Sequence, residues 1–293
     1  MSRSLPPGLR YAAIGALSFS IMSAFAKLAG ERIPTQEIVL ARSLVVTLLT
    51  LHGLKRAGVS PFGTERRLLV LRGLFGYAAL SCFYWAVVRL PLADTTVIHF
   101  TNPVFTALLA ALFLGEVLRP GEISLALTAL LGVLLVARPG FLFGDVSSLD
   151  PLAVAVALAG AIFSAAAYTT ARRLTRTNHH LVIVLAFATV SLVGSIPATV
   201  PVFLMPTGPE WLYLLGVGIA TQGGQVFVTK ALEVDKAGRV MAIGYLQIVF
   251  AALWGLMIFQ EVPDLWSGIG ALVIIGSTFL MGWTHPVAAP TGR

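Results

Sequence analysis

Thr95, His99, Asn102 and Thr106 recur at i, i+4, i+7 and i+11 in an otherwise apolar stretch, so on an α-helix they form one polar stripe. An imidazole, an amide and two hydroxyls on one face can bind the donors and acceptors of a small polar molecule, and the imidazole can also exchange a proton near neutral pH. Gln247 occupies the matching position of a second, similar stretch, with Tyr245 two residues before it. His99 and Thr106 correspond there to Gly244 and Ala251, so one wall of a shared site is expected to be polar and the other small enough to leave a cavity. Tyr77, Tyr84, Tyr168, Tyr245 and Trp254 fall in the middle of apolar stretches. A phenol or indole at that depth needs a partner or a wet cavity. These residues are therefore candidate cavity walls, with core packing against a local backbone acceptor as the alternative. Thr221-Gln-Gly-Gly-Gln225 adds a polar, glycine-rich patch inside a helix, a place for flexing or close backbone approach.

Covalent chemistry is not expected. The chain has no His-Glu-x-x-His, no Gly-x-Ser-x-Gly, no Asp-rich prenyl-diphosphate motif and no Gly-x-x-x-x-Gly-Lys loop, which argues against a metalloprotease, a hydrolase, a prenyl transferase and an ATP-driven pump. No cofactor or metal is expected. Cys82, the single cysteine, lies in an apolar stretch and reads as a small buried hydrophobe.

The elements that must position the stripe are membrane spans. With 57% hydrophobic and 11% charged residues and a mean hydropathy of +0.88, the chain lacks the polar surface of a water-soluble domain. Ten apolar segments are expected as helices: 9–30, 37–53, 68–90, 93–115, 123–136, 152–171, 181–204, 210–231, 237–259 and 266–283. Most approach the ~20 residues that cross a ~30 Å hydrocarbon layer; Ile123–Val136 is short and must extend into its flanks or thin the bilayer. Asn102, nine residues into its segment, would lie about 13 Å deep, near the bilayer centre. Counting with each gap the helix turns that border it, the chain ends and even-numbered gaps collect 15 of the 20 Lys and Arg, whereas the odd gaps hold Arg32, Arg89 and Arg138. Cytoplasmic loops retain positive charge, so both termini are expected in the cytoplasm. The basic pI then reflects topology, with anionic lipid as the neighbour of these charges and no nucleic-acid partner. Arg3 and Arg10 ahead of an apolar run imitate a secretory signal, but the many spans that follow favour an uncleaved first helix.

The chain also repeats. Ala86–Glu116 aligns without gaps on Ala231–Glu261, matching Ile98/Ile243, Val104/Val249, Phe105/Phe250, Ala107/Ala252, Leu108/Leu253 and Glu116/Glu261, and Ile21–Ala26 resembles Ile162–Ala167. Two five-helix repeats are expected, residues 11–138 and 152–283. Five is odd, so the second copy enters the membrane upside down relative to the first. Inverted repeats provide two nearly equivalent conformations open to opposite sides, with a ligand site near the midplane where the halves meet.

Ser23-Ala-x-Ala-Lys27, Ala41-Arg42, Asn102-Pro-Val-Phe-Thr-Ala-Leu-Leu-Ala with its Leu-Gly-Glu116 ending, and Leu246-Gln-Ile-Val-Phe-Ala-Ala-Leu with its Phe-Gln-Glu261 ending resemble the EamA-type repeats of the drug/metabolite transporter superfamily over nearly the whole chain. The resemblance implies a ten-helix carrier of small metabolites in the bacterial inner membrane, often an exporter of amino acids. An amino-acid exporter is one candidate; hydrophobic-drug export is the alternative, and a channel is a more distant rival because the unequal halves supply no selectivity ring. A cavity of amides, tyrosines and one His suits a small zwitterion better than a multiply charged phosphate. Asn102, Gln247, His99 and Tyr245 are the first candidates for substrate contact; Lys27 and Arg42, inside apolar segments, are candidate gate charges or structural charges paired with Glu31 and Glu37. No carboxylate lies at mid-depth, so transport is expected to be passive, with proton coupling through His99 the alternative. A monomer is expected. The charge distribution makes a direct prediction: a cysteine at Arg176 should be labelled from the cytoplasmic side and one at Gly208 from outside, and the opposite accessibility at either position would overturn the topology.

Overall fold

The structure is a computed structural model that describes residues 6–87, 89–90, 95, 98–116, 118–137, 150–260 and 265–283. Asp94, Arg138 and Glu261 lie outside the described residues, as do both chain ends. All described regular structure is helical: α1 Pro7–Ala29, α2 Thr35–Ala57, α3 Arg66–Val87, α4 Asn102–Leu114, α5 Pro120–Ala137, α6 Pro151–Leu174, α7 His180–Thr199, α8 Gly208–Val234, α9 Ala237–Ile243, α10 Leu246–Phe259 and α11 Leu265–Trp283, with a short 3₁₀ turn, Val200–Val202, after α7. Ten spans result, because α9 and α10 together form the ninth and α4 is the second part of the fourth. The fifth recovers length at both ends, reaching 18 residues.

Apolar side chains cover the outside. Leu112, Met257 and Leu272 are each more than 70% exposed, which a lipid solvent favours and water would not. The interior is held by small residues that let helices approach closely. A Cβ at Gly15 would meet Val228 at 2.7 Å, and one at Gly160 would meet Cys82 at 3.0 Å.

These contacts expose the symmetry. Gly15 faces Val228 N and Gly224 O, while Gly160 faces Phe83 N and Ala79 O. Adding 145 to Gly15, Ala79 and Phe83 gives Gly160, Gly224 and Val228. Likewise Gly73 packs on Val190 and Gly218 on Val45. At the level of whole helices, α1 packs on α8 as α6 packs on α3, α3 on α7 as α8 on α2, and α1 on α10 as α6 on α4, while the α2·α7 and α5·α11 pairs map onto themselves. The fold is thus two five-helix repeats whose packing is unchanged when the halves are exchanged. The first-span register expected from Ile21/Ile162 is corrected: it is offset by 141, four residues from the structural register. A slip of four keeps the same helix face, so the small-residue pattern reads almost equally well either way.

The ends of α4 and α10 are also equivalent. Gly115 (φ 65°) and Gln260 (φ 55°) both close their helices in the left-handed conformation, with amides bonded back to the Ala110 and Gly255 carbonyls. Glycine adopts that conformation without strain, whereas a glutamine Cβ crowds the carbonyl. Gln260→Gly should therefore stabilise the protein by about 1 kcal/mol and Gly115→Gln should destabilise it by a similar amount. Thermal unfolding in detergent measures both, and a lowered midpoint for Gln260→Gly would contradict the assignment.

Candidate functional site

The fourth and ninth spans are not the continuous helices expected from their sequences. Both break where the repeats correspond, at Phe100-Thr101 and at Gly244-Tyr245. In the fourth span the cause is Pro103, which has no N–H for the His99 carbonyl and crowds it. Thr101 N–H turns to the Ile98 carbonyl at 3.1 Å and Val104 N–H to Thr101 at 3.0 Å. In the ninth, the Tyr245, Gln247 and Ile248 amides take the carbonyls three residues back, at 3.2, 2.9 and 3.0 Å. Each chain tightens into a 3₁₀ turn and resumes as α4 or α10. The predicted Thr95–Thr106 stripe is consequently interrupted between His99 and Asn102.

The Phe100 carbonyl has no helical donor after the break. It accepts the Tyr245 hydroxyl at 2.9 Å. Phe100 and Tyr245 are repeat partners, and their rings pack with centroids 5.8 Å apart. Two symmetry-related residues can touch only on the symmetry axis, so this contact marks the centre of the molecule. Asn102 and Gln247 open the helices that leave it. Asn102 is buried and starts α4, with its carbonyl accepting Thr106 Oγ1 at 2.8 Å; Gln247 is half-buried in the first turn of α10. His99 packs its ring on Phe83 of α3 at 4.9 Å and on Phe100 at 6.0 Å. The axis therefore gathers Phe83, His99, Phe100, Asn102, Tyr245 and Gln247 around two interrupted helices, the arrangement by which broken spans present backbone and polar side chains at mid-membrane.

The remaining candidates sit further out. Tyr77 donates to the Gly194 carbonyl at 2.5 Å, and its ring fills the space over that glycine, so its hydroxyl is engaged in joining α3 to α7. Trp254 Nε1 donates to the buried Ser20 hydroxyl at 2.9 Å, joining α10 to α1. Tyr84 is helical, with its side chain outside the described set. Tyr168 lies 5.8 Å from the Arg72 guanidinium. Lys27 is exposed in the last turn of α1, where a long side chain can snorkel. Arg42 is buried. The pairing considered for it with Glu37 is not formed: Glu37 Oε2 accepts Leu204 N–H at 2.9 Å, because the strand of chain leaving α7 brings an unpaired amide to that carboxylate.

Both ends of the bundle are tied across the halves. At the end away from the N-terminus, Arg32 bonds Glu210 through Nε (2.6 Å) and Nη2 (2.5 Å) and the Met205 carbonyl at 2.8 Å, and the carboxylate keeps the Arg32 guanidinium more basic than usual. At the other end Arg172 bonds Glu116 at 2.6 Å and the Leu232 carbonyl at 2.6 Å. Glu116 also caps α9 through Ala237 N–H at 3.0 Å. Nearby, Glu122 meets Lys236 at 3.2 Å and the fully buried Arg239 at 3.8 Å, and burial pushes the Asp235 carboxyl up despite Arg239. The buried charges Arg72, Glu122 and Arg239 were not among the sequence candidates. Each stands within two turns of a basic loop, so by sequence it reads as a loop charge; only for Arg72 was there a signal, glycines one and four residues on. Removing the central hydroxyl with Tyr245→Phe should leave the Phe100 carbonyl unpaired, at a cost of about 1–3 kcal/mol, visible as a lower unfolding midpoint. An unchanged midpoint would mean that the bond does not hold the break.

The comparisons agree with this architecture. The model of the EamA-like transporter family matches twice, at residues 6–138 and 151–283. A curated relative from Pseudomonas aeruginosa (strain UCBPP-PA14), the pseudopaline exporter CntI, is 35% identical over 272 residues, covering 92% of this chain and 94% of that protein. Human solute carrier family 35 member G1 is 31% identical over 283 residues, covering 92% and 77%. A crystal structure superposes with a TM-score of 0.76 at 19% identity, covering 90% of this chain and 94% of that one, which shows the shared fold. With two family matches filling nearly the whole chain and ten spans packed as two equivalent halves, this multi-pass membrane protein belongs to the EamA-like transporter family.

Proposed function

We propose that the protein exports a small polar metabolite, with amino acids and their derivatives as the first class, by alternating access about the Phe100–Tyr245 axis. The observation that supports this reading most directly is the pair of breaks at repeat-equivalent positions. Each presents a polar side chain, Asn102 or Gln247, and loosened backbone at the place where an inverted-repeat carrier holds its ligand. The Arg32–Glu210 and Arg172–Glu116 pairs suit two gates, since each joins the halves at one end and could open while the other stays closed. A relative described as an exporter favours the outward direction, and the distribution of Lys and Arg favours cytoplasmic termini. Transport follows the substrate gradient in this reading, because every described acidic residue lies at a helix end or in a loop and none is placed as a proton relay at mid-depth.

Cells that overproduce the protein should release at least one amino acid or amino-acid-derived metabolite faster than cells carrying Asn102→Ala, as read by mass spectrometry of the medium with membrane levels of both proteins matched. In proteoliposomes the released compound should show counterflow uptake without an imposed pH gradient or membrane potential. Equal release by the variant would remove Asn102 from the site. A strict requirement for a proton gradient, lost in His99→Ala, would replace passive exchange with proton coupling through His99.

A further inference from the structure

Among the described residues, two arginines are buried in the bundle without a carboxylate partner. Arg72 of α3 is 3% exposed and Arg42 of α2 is 6% exposed. Among the described residues, Arg72 Nη2 reaches the Gln225 amide oxygen at 3.4 Å, a long contact, and its Nε has no acceptor. Its guanidinium stacks 4.6 Å over Phe187 of α7 and 5.8 Å from the Tyr168 ring of α6. Arg42 Nη1 reaches the Met22 sulfur at 4.0 Å, its polar contact among the described residues. Burying a charge away from both water and a counter-ion is expensive, and a neutral side chain of similar length would pack here at less cost. Gly76 leaves room for the stacked pair: a Cβ there would come within 2.5 Å of the Phe187 ring and 2.6 Å of Arg72 Nη1.

Their placement is related by the repeat. Arg72 lies over Phe187, and Phe187 is the 145-residue equivalent of Arg42, so Arg72 packs on the α7 position that corresponds to that of Arg42 on α2. Arg72 is six residues from the start of α3 and Arg42 fifteen from the end of α2, at the same end of the bundle. At 1.5 Å per residue the two differ in depth by about 13 Å, one on each side of the midplane. Tyr168 lies within electrostatic reach of both. Unpaired hydroxyls, Thr169 beside Tyr168 and Ser191 one turn beyond Phe187, are buried on the same helices.

We propose that Arg72 and Arg42 are two successive stations for a carboxylate group of the transported molecule. This rests on the exporter reading above and narrows its substrate class to molecules with a free carboxylate, either zwitterions or organic anions. The guanidinium fork offers two parallel N–H donors to a carboxylate, and the aromatic faces of Phe187 and Tyr168 hold Arg72 when the station is empty. Gln225, in the glycine-rich patch of α8, is displaced from Nη2 when the anion arrives. Movement of the carboxylate from one arginine to the other carries it across the midplane while each guanidinium stays buried.

Thermal unfolding of the purified wild-type protein at low salt, with succinate, glutarate and L-glutamate compared against succinamide, glutaramide and putrescine, tests this without any variant. At least one carboxylate should raise the midpoint and the amides and putrescine should not. L-Glutamate and glutarate distinguish a zwitterion from a plain anion. Arg72→Gln and Arg42→Gln should each weaken the response to the active carboxylate about tenfold, the loss expected when a charge-assisted bond to a carboxylate is removed, while Arg72→Lys retains part of it. Stabilisation by amides or putrescine alone, no stabilisation by any of the three carboxylates, or an unchanged response in both glutamine variants would overturn the proposal. Counterflow of an amine or amide in proteoliposomes would at the same time leave the carrier reading intact.

Discussion

A bilayer offers no hydrogen bonds, so each backbone carbonyl freed inside it must find a donor from the protein itself. That constraint organises the centre of this molecule. Pro103 removes one donor from the fourth span, the chain tightens, and the Phe100 carbonyl is left without an amide. The Tyr245 hydroxyl fills the vacancy, and it comes from the matching break in the other half. The bond therefore does two things: it satisfies a buried acceptor, and it fixes the two halves against each other at their axis. Around it the polar groups of Asn102, His99 and Gln247 can be brought to the centre of a membrane protein without leaving the helices unsatisfied.

The same symmetry governs the close packing. Gly15 and Gly160, Gly73 and Gly218, and the left-handed caps at Gly115 and Gln260 occupy equivalent places. Where the halves differ, the difference is chemical. Arg32–Glu210 at one end corresponds to Thr177–Glu65 at the other, where the Thr177 hydroxyl donates to the carboxylate at 2.5 Å. An ion pair thus faces a hydroxyl–carboxylate hydrogen bond across the molecule. The first joins two opposite charges at a partly exposed site, whereas the second gives its carboxylate a neutral donor that water replaces readily. In the alternating access proposed above, near-equivalent packing lets two conformations lie close in energy, and the unequal ties bias the choice between them.

The buried charges divide in a similar way. Arg239 is met by Glu122 and Asp235, and Arg172 by Glu116, so their desolvation is offset and they serve the architecture. Among the described residues, Arg72 is offset only by a distant amide and two aromatic faces, and Arg42 by a thioether. A membrane interior makes that contrast sharper than it would be in water, since a guanidinium held away from solvent does not recover its hydration.

By itself the sequence determined what depends on composition and period. Long apolar runs require spans, alternating basic gaps set their number, and the Ala86–Glu116 and Ala231–Glu261 match reveals the duplication; these are solvent and chain properties that need no tertiary contacts. It also brought Asn102, Gln247, His99 and Tyr245 forward together, because repeat symmetry is visible in one dimension. Tertiary structure decided the rest. Pro103 marks the break of the fourth span locally, but the donor that satisfies the freed Phe100 carbonyl is a hydroxyl 145 residues away, and the matching break at Gly244 carries no proline to announce it. The first-span register could slip by one turn without changing the sequence pattern, and only the packing of Gly15 against Val228 fixed it. Sequence gives Tyr77 and Trp254 a depth but no partner; the Gly194 carbonyl and the Ser20 hydroxyl that engage them are visible only in the packed helices. Arg72 reads as one more loop arginine at the start of a helix, because sequence gives the distance along a span but not which face of that span is enclosed by its neighbours.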